Sequence, residues 1–220
     1  MASWDNKETT DKHLLPYVDA EAASPAVKTA MQSLPLERNI FKASLVLSPI
    51  SILAHSTVNF PAFMGLLTKQ WHEDRKLRSS DWQTAVLRTA AVLDAPYEWE
   101  VNEPVARVFG FSDAQLAALR DPRTPLPAAL FSPRRRLIAS AIEELSSAEN
   151  RIGVATLDEL KTFLSPEEIL ELLYLHGVYS FLARVMRSVQ VDSDGEIPGV
   201  EDTLRKYNAA AIEKEKQYRD

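Results

Sequence analysis

Residues 79–106 read SSDWQTAVLRTAAVLDAPYEWEVNEPVA, and the fold turns on how this stretch divides. Ser80, with Gln83 three residues on, has the spacing of a capping box. From there Trp82, Ala85, Val86, Thr89, Ala90 and Leu93 recur at helical spacing, which predicts a helix that buries one face. Asp94, Ala95 and Pro96 break it, because Pro96 lacks an N–H and disfavours helical geometry in the residue before it. A second helix then starts near Pro96 and runs towards Gly110. The hinge holds Tyr97, Glu98 and Trp99 at the start of that helix, with Glu100, Asn102 and Glu103 close behind. Two effects oppose each other at Glu98. The positive end of the helix dipole favours a carboxylate, whereas burial among aromatic rings raises its pKa towards that of a usable acid or base. The sequence leaves the balance open.

Outward from this pair, helix starts recur. Residues 1–19 are polar and read as a loose arm. Ser24-Pro25 caps a short helix that ends before Pro35. Asn39, Ile40, Phe41, Leu45 and Leu47 predict another, stopped near Ser48-Pro49. That pair caps a helix expected to bend or restart at Pro61 and to end near His72. Ser112 with Gln115 is a further capping box, and the proline-rich run from Asp121 to Pro133 is a surface loop. Ser132-Pro133 caps a helix through Leu145, Thr156 with Glu159 the next, and Ser165-Pro166 with Glu168 the last core helix, to about Val189. The charged tail from Ile197 is expected to form a helix from about Glu201 that packs on a neighbouring subunit. No segment alternates with period two for long, so the fold class is all-α. The expected organisation is an N-terminal arm over 1–19, one helical domain over 20–195 and a tail over 196–220.

Composition narrows the function. Across 220 residues, 45% are hydrophobic and 25% charged, which is ordinary for a globular chain. The net charge of −6 argues against nucleic acid as a partner. The chain has no cysteine, which excludes disulfides, thiolate metal sites and thiol peroxidase chemistry. The N-terminus has neither the basic nor the apolar region of a secretory signal, and the apolar stretch from Ser44 to Leu67 is too interrupted for a membrane span. A cytoplasmic protein without membrane partners is expected. No HExxH pattern or dense ligand cluster appears, so neither a metal nor another cofactor is expected.

The central stretch resembles the carboxymuconolactone decarboxylase family, a branch of the alkylhydroperoxidase D-like (AhpD-like) superfamily. The family pattern is a helix ending in L-R-x-A, a short break, then Y-E-W-x-x-H-x-x-x-A and a closing glycine. Here Leu87, Arg88 and Ala90 precede the break. Tyr97, Glu98, Trp99, Ala106 and Gly110 follow it, with Asn102 in place of the histidine. The late segment GVYSFLARVMRSV from Gly177 is similar to the family's closing helix, and the resemblance runs from about Phe41 to Val191. Peroxidatic members use a C-x-x-C pair, whose places Ala95 and Glu98 occupy. Gln83 falls where related enzymes carry a glutamate. The resemblance implies an AhpD-like helical bundle, assembled as trimers or hexamers with the site near subunit contacts.

Glu98 is the candidate catalytic residue; its bland reading is a solvent-facing glutamate. Tyr97, Trp99, Asn102, Arg88, Gln83 and His176 are the candidate substrate-binding residues. Asn102 can orient a substrate but cannot shuttle a proton near neutral pH; its alternative role is to re-cap a kinked helix before Pro104. Gln83 alternatively completes the capping box. Arg88 is a bidentate partner for a substrate carboxylate or a structural ion-pair partner, even to Glu98 itself. His176, with Leu172, Leu173 and Tyr179 around it, is a buried histidine or a pocket residue, and His55 is similar. Arg134, Arg135 and Arg136 read as a solvated face or an interface.

Two functional classes follow. One is a cofactor-independent lyase or isomerase that acts on a small carboxylated or lactone-type metabolite by decarboxylation, isomerisation, elimination or cyclisation. The other is a non-catalytic binding or assembly member of the same fold. Either is expected as a homo-oligomer, trimer-based. Apolar surface over Ile50–Phe63 would be covered, and a pocket at Tyr97, Glu98 and Asn102 would be partly walled by the helices of Ile50–Phe63 and Leu172–Met186.

Overall fold

The helix starts written into the sequence become ten helices in the computed structural model, which describes residues 14, 15, 18, 23–32, 52–70, 72, 74–191, 193 and 198–218. They are α1 (Pro25–Gln32), α2 (Asn59–Lys69), α3 (Ser79–Val92), α4 (Pro96–Val108), α5 (Asp113–Arg120), α6 (Pro133–Leu145), α7 (Val154–Leu160), α8 (Pro166–Val189), α9 (Val200–Tyr207) and α10 (Ala209–Glu215). No strand occurs among the described residues. Most of the predicted N-terminal arm, and the helix expected between Asn39 and Ser48, lie outside them.

Several caps form as read. Val27 N–H reaches Ser24 Oγ at 3.4 Å. Ser112 and Gln115 make both halves of a capping box, Ser132 Oγ accepts from Arg135 N–H, and Ser165 and Glu168 bond reciprocally. Two differ. Thr156 caps nothing: α7 starts at Val154, and Thr156 donates to Glu144, which also accepts from Gly153 N–H at 2.6 Å. Ser80 and Gln83 form no capping box either. The helix begins two residues earlier than that box requires, with Arg78 as N-cap and no side-chain cap of its own.

The described residues group into two units. One comprises Met1–Asp74 and Arg184–Tyr207. Within it α1 packs on α2, and Val27, Ile52, Phe60, Met64, Met186 and Leu204 are buried. Ile52, Ala54 and Phe60 fall in the stretch expected to be apolar surface, so much of it is spent inside the chain.

The other unit comprises Arg75–Ala183 and Asn208–Asp220. Its centre is α3, which packs against α4, α5, α6 and α10. Every residue from Ser79 to Ala91 is buried, not one face only. The apolar positions supply the driving force: each fully buried side chain such as Val86 or Leu87 contributes ~1.5–3 kcal/mol. The polar ones are accommodated by local bonds: Thr84 and Thr89 donate to the carbonyls of Ser80 and Ala85, four residues back.

The hinge after α3 is a Schellman motif. Ala95 N–H bonds to Ala90 O at 2.8 Å and Asp94 N–H to Ala91 O at 3.3 Å, with Asp94 left-handed at φ 52°. Pro96 then opens α4, where its missing N–H costs nothing. The same closure recurs at Gly110 (φ 86°), where Phe111 N–H meets Ala106 O at 3.1 Å.

Helix α8 is long and apolar enough to pass for a membrane span by composition. Leu172, Leu175, Val178 and Tyr179 are nevertheless buried in the protein, as in a core helix. Leu170, Leu173, Tyr174 and Phe181 form an exposed apolar stripe on it.

Candidate active site

Helix α4 splits the cluster at the hinge into two faces, since residues four apart stack and neighbours diverge. One face carries Trp99 and Glu103. Trp99 Nε1 donates to Glu103 Oε2 at 2.5 Å, and Arg120 lies 4.7 Å above the ring centroid. Arg107 bridges Glu103 (2.8 Å) and Asp113 (2.6 Å). Trp99 is therefore held in an ion network that ties α4 to α5.

The other face carries Glu98 and Asn102. Glu98 is 2% exposed. Both of its carboxyl oxygens are shut off from solvent without a hydrogen-bond partner among the described residues. Burial pushes its pKa well above the ordinary 4.5. The opposition left open by the sequence is thus decided. The dipole at a helix start is worth about 0.3–1 kcal/mol, whereas burying an unpaired ionised carboxylate costs several. Burial outweighs the dipole, so the Glu98 carboxyl is held well above the usual carboxylate range.

Asn102 donates from Nδ2 to the Glu98 carbonyl at 2.8 Å, and its Oδ1 takes a long bond, 3.4 Å, from Tyr179 Oη. It does not re-cap a kinked helix: α4 runs unbroken through Pro104. Tyr179 makes an edge-to-face contact with Trp82 at 5.7 Å, and the Arg75 guanidinium lies 5.8 Å from the Trp82 ring. Gln83, the residue after Trp82, is 1% exposed, and its Oε1 has no partner among the described residues. Tyr97 is buried beside Glu98 in sequence.

Two sequence candidates serve the scaffold. Arg88 does not pair with Glu98. Its Nε and Nη2 hold Glu143 at 2.7 and 2.5 Å, and its remaining donors take the carbonyls of Ala118, Leu119, Asp121 and Thr124. A fully buried guanidinium thereby pins the loop after α5, and no donor is left for a substrate carboxylate. His176 places Nε2 between Ser146 Oγ (3.0 Å) and Ser180 Oγ (3.1 Å).

Arg134, expected on a solvated face or an interface, is buried. It bonds Asp81 at 2.6 Å, Glu168 at 2.8 Å and the Phe163 carbonyl. Sequence reasoning also passed over Tyr179 and Arg75 as site residues. Tyr179 stands in the G-x-Y of the closing helix, a signal that was present. Arg75 lies in a polar run with none. No group of three or more His, Cys, Asp or Glu residues able to hold a metal occurs among the described residues.

No protein-family model and no curated protein sequence matches the chain. Solved structures do. A peroxidase-related AhpD-core protein of uncharacterised function from Ralstonia eutropha JMP134 is 15% identical, with a TM-score of 0.67 over 88% of this chain and 97% of that one. A peroxidase-related protein from Silicibacter sp. TM1040 is 13% identical, with a TM-score of 0.69 over 87% and 97%. A Cys→Ala variant of the debrominase Bmp8, in complex with 2,3,4-tribromopyrrole, is 14% identical, with a TM-score of 0.64 over 93% and 100%. At such identities the likeness concerns architecture, and the architecture is that of the AhpD-like all-helical fold.

Proposed function

We propose that this protein is a thiol-free, cofactor-independent enzyme of the AhpD-like fold that uses Glu98 as a general acid on a small metabolite. The observation that carries the reading is the Glu98 carboxyl: buried, without a partner on either oxygen among the described residues, and pushed by burial well above the usual carboxylate range. A general acid has to hold its proton until the substrate needs it, and burial keeps this proton in place. Glu98 delivers it to the carbon on which negative charge develops, once that charge is spread into an adjacent carbonyl. The resulting carboxylate, disfavoured where it lies, recovers a proton from the substrate or from water. If CO2 has left the substrate, the net reaction is a decarboxylation. If the returning proton comes from another atom of the substrate, it is an isomerisation. Elimination and cyclisation use the same acid. Lactone-type compounds are the proposed substrate class, because their carbonyl is the needed electron sink.

Replacement of the family histidine by Asn102 argues for this division of labour. Asn102 anchors the turn that bears Glu98 and cannot itself move a proton. Wild-type protein in heavy water should incorporate deuterium at carbon into at least one member of an enol-lactone panel, read by NMR. Glu98→Gln should slow that by ~100-fold or more, the usual scale of general acid catalysis. Unchanged incorporation in Glu98→Gln refutes the assignment to Glu98, and no incorporation by the wild type leaves the non-catalytic reading.

A further inference from the structure

We infer that the site built on Glu98, Gln83 and Asn102 selects an uncharged substrate bearing one hydrogen-bond acceptor and one donor, and rejects carboxylated ones. The inference rests on the catalytic reading of Glu98 and sharpens it. Three observations carry it. First, a Glu98 that keeps its proton, as proposed, offers one O–H donor and no charge, while Gln83 Oε1, on the adjoining helix α3, is a buried acceptor without a partner among the described residues. A buried unpaired carbonyl is costly unless something donates to it, and a substrate hydroxyl or N–H would.

Second, the buried and half-buried guanidinium groups around this part of the fold are already engaged. Arg88 holds Glu143 and four carbonyls. Arg134 holds Asp81 and Glu168. Arg120 covers Trp99 and reaches Glu103 at 3.4 Å. Arg75, 5.8 Å from the Trp82 ring, donates to Ser79 Oγ at 2.9 Å and is answered by the acids Glu171 and Glu215. Third, among the described residues no cation holds the Glu98 carboxyl down, and burial pushes it up. A substrate carboxylate placed beside it would enter a dry site with no counter-charge, and buried ions without a partner are strongly disfavoured. Without a carboxylate to lose, the reaction is an isomerisation or elimination, not a release of CO2.

Three butenolides that differ only in one arm test this: methyl, hydroxymethyl and carboxymethyl. Dissociation constants are measured by ligand-observed NMR on the wild type, Gln83→Leu, Glu98→Gln and Arg75→Gln. The hydroxymethyl ligand should bind best and the carboxymethyl one weaker by about a hundredfold. Gln83→Leu should cost the hydroxymethyl ligand about tenfold and leave the methyl ligand unchanged. Preference for the carboxymethyl ligand, equal binding of all three, or no binding of the uncharged pair overturns the inference. Loss of carboxymethyl binding in Arg75→Gln would place a carboxylate subsite at Arg75 and overturn it likewise. The two readings fail separately. A charge preference that persists in Glu98→Gln, with no deuterium incorporation by either protein, refutes the catalytic role alone. Incorporation that depends on Glu98 without any charge preference refutes only the substrate class.

Discussion

At the residue scale, a cluster that is compact in sequence divides by one helical step. Glu98 and Asn102 turn inward to a dry site, while Trp99 and Glu103 turn to an ion network. The candidates were legible; their division was not, because it depends on which face of α4 is covered by what. The state of Glu98 has a measurable consequence for stability. Below pH 4.5, the ordinary glutamate value, the carboxyl is protonated in the folded and unfolded chains alike and stability is unaffected. As pH rises past that value the unfolded chain releases its proton and the folded chain keeps it. Stability then falls by about 1.4 kcal/mol per pH unit until the raised folded pKa is reached. Urea melts should show Glu98→Gln gaining on the wild type across this window, and parallel curves would contradict the assignment. Arg88 gives the complementary prediction. Arg88→Met removes a buried cation from Glu143 and from four carbonyls, and should cost about 3–5 kcal/mol in the same melts.

At the element scale, the helices follow from local signals, and the misread ends are those capped from far away. The Ser79 N–H donates to Glu215 Oε1 at 2.6 Å and the Ser80 N–H to Glu215 Oε2 at 3.3 Å. A carboxylate 135 residues downstream thus does the work that the Ser80–Gln83 spacing had suggested was local. No local pattern encodes such a partner. It also explains the C-terminal segment: α10 packs on α3 of its own chain, and Arg78 stacks on Tyr218 at 4.2 Å. Glu215→Gln should destabilise the protein by about 1–2 kcal/mol, combining a lost charge-assisted cap with the helix dipole. Thermal melts check it, and no change would mean that the cap is replaced by water. Gly110→Ala should cost about 1–2 kcal/mol. An added Cβ would touch nothing within 4 Å, so the loss would come from the left-handed backbone at φ 86° and not from a clash.

At the scale of the whole molecule, the all-α class was legible in the recurrent caps, and the AhpD-like bundle in the resemblance carried by Tyr97, Glu98 and Trp99 and the helices that flank them. Structural likeness at 13–15% identity shows that the chain shares this architecture. Assembly is a proposal that the exposed stripe of Leu170, Leu173, Tyr174 and Phe181 on α8 supports, with a second copy of this chain as the occupant. Light scattering at micromolar concentration should give a multiple of 24.7 kDa, and Phe181→Asp should lower it. A monomer at that concentration sinks the proposal.

The central claim is that Glu98 stands protonated in a dry site at neutral pH. Infrared difference spectroscopy between the wild type and Glu98→Gln, at about pH 7, reads this directly. The account predicts a protonated-carboxyl C=O band that is present in the wild type and absent from the variant. A carboxylate band in its place would contradict it.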